Sequence, residues 1–133
     1  IFATLSDIKC KGRADFISNK APVIFDVKTT EDARLLPFQR SVFNYRYHVQ
    51  AAFYCDMMKK ITGDDYSFVL IAVEKEPPYQ IALYNLDHEF INSGRVNYEA
   101  NLWLINKCLN EGDWPGYSPD IETLERPSWA AFK

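Results

Sequence analysis

The stretch VIFDVKTT, residues 23–30, sets two charges into an otherwise apolar, β-branched run. Such residues favour a strand, here expected over residues 22–29 after the turn-like SNKAP. Strand side chains alternate, so Val23, Phe25 and Val27 face one way, and Ile24, Asp26 and Lys28 the other. A charge on a buried strand face loses its hydration unless something replaces it. Asp26 and Lys28 therefore need partners: each other, a neighbouring strand or a metal ion. Just upstream, CKGRADFI reads as part of a strand over residues 8–17. Alternation then groups Cys10, Gly12, Ala14 and Phe16 on one face, with Lys11, Arg13 and Asp15 on the other. If the two strands are neighbours, Asp15 joins Asp26 and Lys28.

Two carboxylates and a lysine on one sheet face suit phosphodiester cleavage. The acids offer hard oxygen ligands to Mg²⁺ or Mn²⁺. A bound cation activates water and offsets charge building on phosphoryl oxygens. The lysine orients or deprotonates that water, or stabilises the pentavalent phosphorus. The backbone carbonyl of Val27, between the two side chains, is a further candidate ligand. The competing reading is a plain ion pair across the sheet, because Asp-x-Lys is a short pattern.

Working outward, residues 1–5 read as a strand joined to 8–17 by a turn at Ser6-Asp7, so that three strands form a meander. From Leu36 to about Ile61 the periodicity is helical, as one helix or two, with Pro37 near its start and Gly63 at its end. YSFVLIAVEKE and PPYQIALYNL read as a hairpin of strands around Pro77-Pro78. Residues 87–110 read as a helix with Asp87 as N-cap and Glu89 in its first turn, weakened in the middle by Gly94. The Pro- and Gly-rich tail is irregular, and Trp114 and Trp129 are expected to pin it to the body. The order β-β-β-α-β-β-α predicts an α/β or α+β domain, with a mixed central sheet flanked by helices.

The first helical stretch bears on the site. In YRYHVQAAFYCD, Arg46, Gln50 and Tyr54 recur every four residues, one stripe on one face. That stripe borders an apolar face of Val49, Phe53 and Met57, which places it within reach of the strand the helix packs on. A solvated helix face is the competing reading.

The chain has 133 residues, 47% hydrophobic and 15% aromatic, enough for one domain over residues 1–133 with a modest core. A net charge of −3 argues against a generally basic nucleic-acid coat but not against a local basic groove. Cys10, Cys55 and Cys108 are odd in number and far apart. They suggest neither a disulfide framework nor a zinc site and fit a reducing cytoplasm. The longest apolar run, FVLIAV, is too short to span a membrane, and no signal peptide is visible. Ile1 opens what reads as a strand already under way, so the chain is expected to be the later part of a larger polypeptide.

Taken together, Asp15, Asp26-Val27-Lys28 and Gln50-x-x-x-Tyr54 resemble the PD-(D/E)XK nuclease superfamily and its RecB-like sub-group. The blocks CKGRADFI, FDVKTTEDA, YRYHVQAAFYCD, CLNEGDWPGY and LERPSWA, in that order over residues 10–130, resemble the C-terminal nuclease domains of the RecE (exonuclease VIII) type. The resemblance implies a restriction-endonuclease-like fold and an exonuclease dependent on Mg²⁺, or on Mn²⁺ in its place. Such an enzyme degrades one strand of linear double-stranded DNA from its 5′ end in recombination. It also implies a ring-shaped homo-tetramer and a single-strand annealing partner of the RecT type. Carried over by position, Asp15 and Asp26 are metal ligands with the Val27 carbonyl, Lys28 is the catalytic lysine, and Gln50 and Tyr54 support the site. Thr29 and Thr30 follow the lysine as candidates to touch DNA or orient the site. The family pattern also has an acidic or histidine metal-site residue on a helix before the first strand, and neither His48 nor His88 occupies that place. A structure-specific or restriction-type endonuclease of the same fold, and a non-catalytic DNA-binding or assembly fragment, are the alternatives.

Other residues read less sharply. Arg34, Arg40, Arg46, Lys59 and Lys60 either contact DNA phosphates or form a solvated helix surface. Tyr45, Tyr47 and His48 either stack on an unpaired base or pack in the core. His48 could instead hold a phosphate or a carboxylate near the site. Trp103 and Trp114 read as core and tail anchors, and Cys55 as an inert buried thiol.

Overall fold

The structure is a computed structural model that describes residues 1–118 and 120–130; Pro119 and residues 131–133 of the expected tail lie outside the described residues. Strand β4 (Val23–Thr30) is the spine of the molecule. It pairs antiparallel with the two-residue β3 (Phe16–Ile17) and parallel with β5 (Ser67–Glu74), which pairs antiparallel with β6 (Ile81–Asn85). The mixed sheet therefore runs β3-β4-β5-β6. A parallel pair needs a long crossover, and here α1 (Leu35–Asn44) and α2 (Tyr47–Thr62) supply it. The fold is the mixed α+β arrangement expected, with helices packed on the sheet.

The expected three-stranded meander does not form. Strands β1 (Phe2–Leu5) and β2 (Ile8–Lys11) make a separate two-stranded sheet, and residues 12–15 leave strand geometry before β3. Gly12 ends the pairing of β2 with the first strand. Its N–H donates to the Ile1 carbonyl at 3.0 Å, and its own carbonyl accepts from the Ile1 amine at 2.9 Å. A Cβ there would come within 2.8 Å of the Tyr54 ring. Alternation consequently breaks across the segment: Cys10 is buried, whereas Phe16 is exposed on the far face of the main sheet.

The even-numbered residues of β4 and β5 face the helices. Ile24, Phe68, Leu70 and Ala72 pack there against Phe38, Val42, Ala51, Cys55 and Met58. The opposite face carries exposed Phe16, Val27, Ile81 and Leu83.

The helical region is two helices. Tyr45 caps α1, and Arg46 takes the left-handed conformation, φ 57°, before α2 starts. Gly63, also left-handed, ends α2 and returns its N–H to the Lys59 carbonyl. The long α3 (His88–Glu111) opens as the sequence predicts, with the Asp87 carboxylate accepting the Phe90 N–H at 2.8 Å. Gly94 does not interrupt this helix. It is the point where α3 crosses α2, and a Cβ there would lie 2.6 Å from the His48 carbonyl carbon. A second core, Cys10, Ala52, Met57, Tyr98 and Leu102, joins the β1–β2 hairpin, α2 and α3.

Two aromatic expectations are corrected. Trp114 and Trp129 do not pin the tail, and Trp103 is not in the core; all three are exposed. Trp103 falls on the outer side of α3, whose inward positions are Gly94, Tyr98 and Leu102. Among the described residues, no helix is long and apolar enough to cross a membrane.

Candidate active site

The alternation of β4 turns Asp26 and Lys28 toward the first turns of α2. Asp26 is 2% exposed, and the Lys28 side chain 17%. Isolated charges so buried are costly, so each needs close partners. Lys28 pairs with Asp26 Oδ2, and Gln50 closes the triangle. The Gln50 Nε2 donates to Asp26 Oδ1 at 2.9 Å, and its Oε1 accepts from Lys28 Nζ at 2.9 Å. A carboxamide is a neutral group able to do both, since it carries a donor and an acceptor on one planar end. Asp26 Oδ2 is buried and, apart from the ion pair with Lys28, takes no hydrogen bond. The ion pair between Asp26 and Lys28 is thus present, bridged by Gln50.

Asp15 reaches the same strand from the β3 side. Its Oδ2 accepts the Val27 N–H at 2.8 Å. A strand residue sends its N–H and C=O to the same lateral side, so the Val27 carbonyl also leaves β4 toward Asp15. Asp15 thus lies beside β4 in a bend just before β3, not in the strand expected over residues 8–17.

Tyr54 is one step removed from this cluster. Its hydroxyl accepts the Arg13 N–H at 3.2 Å, and its ring lies against Gly12. It braces the 12–15 segment that presents Asp15. Thr30 points inward and donates to the Asp32 carbonyl at 3.2 Å, whereas Thr29 is exposed.

The basic residues do not form one patch. Arg34 is bound by Asp32, Arg46 donates to Asn97 at 2.5 Å, and Lys59 pairs with Asp65 at 2.5 Å. Lys59 and Lys60 occupy the last turn of α2, about 15 Å along the helix from Gln50. His48 is buried, stacks on Phe43 and lies 3.5 Å from the Val42 carbonyl by its Nδ1, a core role. Cys55 is buried, and burial pushes its thiol up to about 12.

Two features escape the sequence reading. Tyr47 lies under the lysine, with Lys28 Nζ 4.6 Å from the ring centroid. Its signal was its position three residues before Gln50, which puts both on one helix face. Across α2, Asp56 accepts from Arg95 at 2.7 and 2.8 Å and from the Tyr98 hydroxyl at 2.5 Å. Burial raises the Asp56 carboxyl, but these hydrogen bonds outweigh it and hold the group below its ordinary range. This network ties α2 to α3.

Among the described residues, no group of three or more His, Cys, Asp or Glu gathers that could hold a metal ion. The donors present nevertheless fit a small hard cation. Mg²⁺ keeps several waters and takes one or two carboxylates plus substrate phosphate. Asp15, Asp26 and the Val27 carbonyl supply such a set, and Asp26 Oδ2, held by Lys28 alone, is a buried acceptor with spare capacity.

No curated protein matches the sequence. Among solved structures, the chain is similar to a crystal structure of a candidate exonuclease from Eubacterium rectale. The TM-score is 0.61 at 18% identity, covering 90% of this chain and 48% of that one, so the chain spans about half the neighbour's length. At that identity the likeness concerns the fold. A family model matches residues 1–127, and the chain belongs to the family it describes, the PDDEXK-like domain of unknown function (DUF3799).

Proposed function

We propose that this chain carries the catalytic cluster of a divalent-metal-dependent nuclease that hydrolyses phosphodiester bonds in DNA. The observation that carries the reading is the Asp26–Lys28–Gln50 triangle beside Asp15. In this reading Asp15, Asp26 and the Val27 carbonyl hold Mg²⁺, or Mn²⁺ in its place. The cation, when bound, acidifies water and offsets charge on the phosphoryl oxygens. Lys28 supplies the complementary cationic donor. An ammonium has three N–H groups; Gln50 takes one and Asp26 faces another, which leaves one for a phosphoryl oxygen or the attacking water. Gln50 fixes the lysine against Asp26, and Tyr54 holds the segment that presents Asp15.

The finer reading is a 5′-to-3′ exonuclease on linear duplex DNA, of the RecE type. It acts in recombination as a homo-tetrameric ring beside a single-strand annealing protein in the cytoplasm. It is supported by the serial sequence blocks named above, and the three free, buried cysteines accord with a reducing compartment. The test is incubation of the chain with linear duplex and with a covalently closed circle in Mg²⁺. Loss of the linear substrate alone, abolished by Lys28→Ala and by Asp26→Ala, is expected. Nicking of the circle indicates an endonuclease of the same fold, and degradation that survives both substitutions refutes the site.

One observation favours a second reading, a DNA-binding or assembly module without catalysis: among the described residues no group of three or more His, Cys, Asp or Glu gathers at the cluster. Calorimetric titration with Mn²⁺ separates the two, because the non-catalytic module gives no heat.

A further inference from the structure

Beyond the catalytic cluster, the corner between α1 and α2 has a construction that packing alone does not call for. Residues two apart on a helix do not face each other. Yet Tyr45 and Tyr47 stack, with ring centroids 5.6 Å apart and planes at 23°. The left-handed Arg46 between them makes this possible by turning the chain between the two rings. A non-glycine residue in that conformation is strained, and it is held here by its bond to Asn97 and by its N–H on the Phe43 carbonyl. The inner ring, Tyr47, carries Lys28 on its face. The outer ring, Tyr45, is 70% exposed. A line of contacts thus runs from buried Asp26 through Lys28 and Tyr47 to an aromatic face in solvent.

The Tyr45 ring also lines a cavity of about 380 Å³ with Thr29, Glu31, Asp32, Tyr47 and Lys75, its two acids being paired with Lys75 and Arg34. The volume is at the lower end for small-ligand sites. Lys75 is paired with Glu31 at 2.8 Å, both side chains being largely exposed, a link weak enough to yield to a phosphate. The contacts of 4.6 and 5.6 Å place Tyr45 within about three stacked base steps of the Lys28 ammonium. An aromatic face at that range, with a cation beside it, suits a base of the strand being cut once it has left its complement.

We infer that Tyr45, set by the Arg46 corner and backed by Tyr47, is a stacking platform for an unpaired nucleobase close to the scissile phosphate. The inference rests on the nuclease reading for its substrate, but it concerns different residues and a different readout. The probe is a set of single-stranded oligonucleotides with 2-aminopurine at successive positions, titrated onto the chain without divalent cation. Stacking quenches the emission at one or two adjacent positions. Tyr45→Ala abolishes the quench and weakens binding about tenfold, whereas Tyr45→Phe, which keeps the ring, retains both. With Mg²⁺ and linear DNA, Tyr45→Ala raises KM and leaves kcat nearly unchanged. Tyr45 is exposed, so circular dichroism of the variant should match the parent. Equal quenching and equal affinity in Tyr45→Ala overturn the inference. Hydrolysis by the parent with no position-dependent quench overturns it alone. A normal quench combined with undiminished hydrolysis by Lys28→Ala overturns the nuclease site alone, and absence of DNA binding overturns both.

Discussion

Replacing Gly94 by alanine tests the packing that holds α2 in place. A Cβ at residue 94 lies 2.6 Å from the His48 carbonyl carbon and 3.0 Å from the Val49 nitrogen. Carbon atoms pack at about 3.5–4.0 Å, so the helices must separate by about 1 Å at their crossing. Both atoms are backbone within a helix, and no side-chain rotation relieves them. Overpacking of this kind costs about 3 kcal/mol, at the upper end of its range. Alanine returns about 1 kcal/mol through helix propensity. The net loss is about 2 kcal/mol, a fall in Tm of roughly 6–10 °C for a domain of this size. Gly63→Ala is the control: φ is +84°, nothing lies within 4 Å, and only a backbone cost of about 1 kcal/mol is expected. Thermal and urea denaturation of both variants give the comparison. Because Val49 adjoins Gln50, Gly94→Ala should also loosen the Gln50 bridge and lower any hydrolytic activity more than the Tm shift accounts for. A Gly94→Ala protein as stable as the parent refutes the close crossing.

Two further outcomes follow from the hydrogen bonding. Gln50→Leu removes both the donor to Asp26 and the acceptor for Lys28, and should cost about 1–3 kcal/mol in urea denaturation and suppress hydrolysis; Gln50→Glu sets a third charge against Asp26 and should not rescue it. Asp56 is held below its ordinary 3.8 in the folded protein, so its contribution is complete above that value and is lost as pH falls below it through the lower folded value. Asp56→Asn should therefore lower stability by about 2 kcal/mol at pH 7 and flatten the fall between pH 5 and 3, measured by denaturation at each pH.

Much of the site was legible because period-two alternation is a local rule. Asp26 and Lys28 share the face that packs on α2, and a period near four brought Gln50 to them. The Asp87 cap and the left-handed Gly63 were likewise written in single residues. The close approach at Gly12 was not, because the ring that lies against it belongs to Tyr54, 42 positions away. Nor did any glycine or proline announce the corner at Arg46, where tertiary packing overrides local preference. Tyr54 carried the motif position, but its contacts with Gly12 and Arg13 in front of Asp15 were not legible. The tryptophans misled because aromatic bulk suggests burial, whereas Trp103 falls on the outward side of α3 and Trp114 and Trp129 lie beyond its end.

The central claim is that Asp15 and Asp26 share one divalent cation beside an ammonium group. Anomalous diffraction from crystals soaked in Mn²⁺ addresses it directly. The account predicts a peak about 2.0–2.3 Å from carboxylate oxygens of both Asp15 and Asp26, lost in Asp26→Asn. A crystal saturated with Mn²⁺ that shows both acids in place and no peak between them would contradict it.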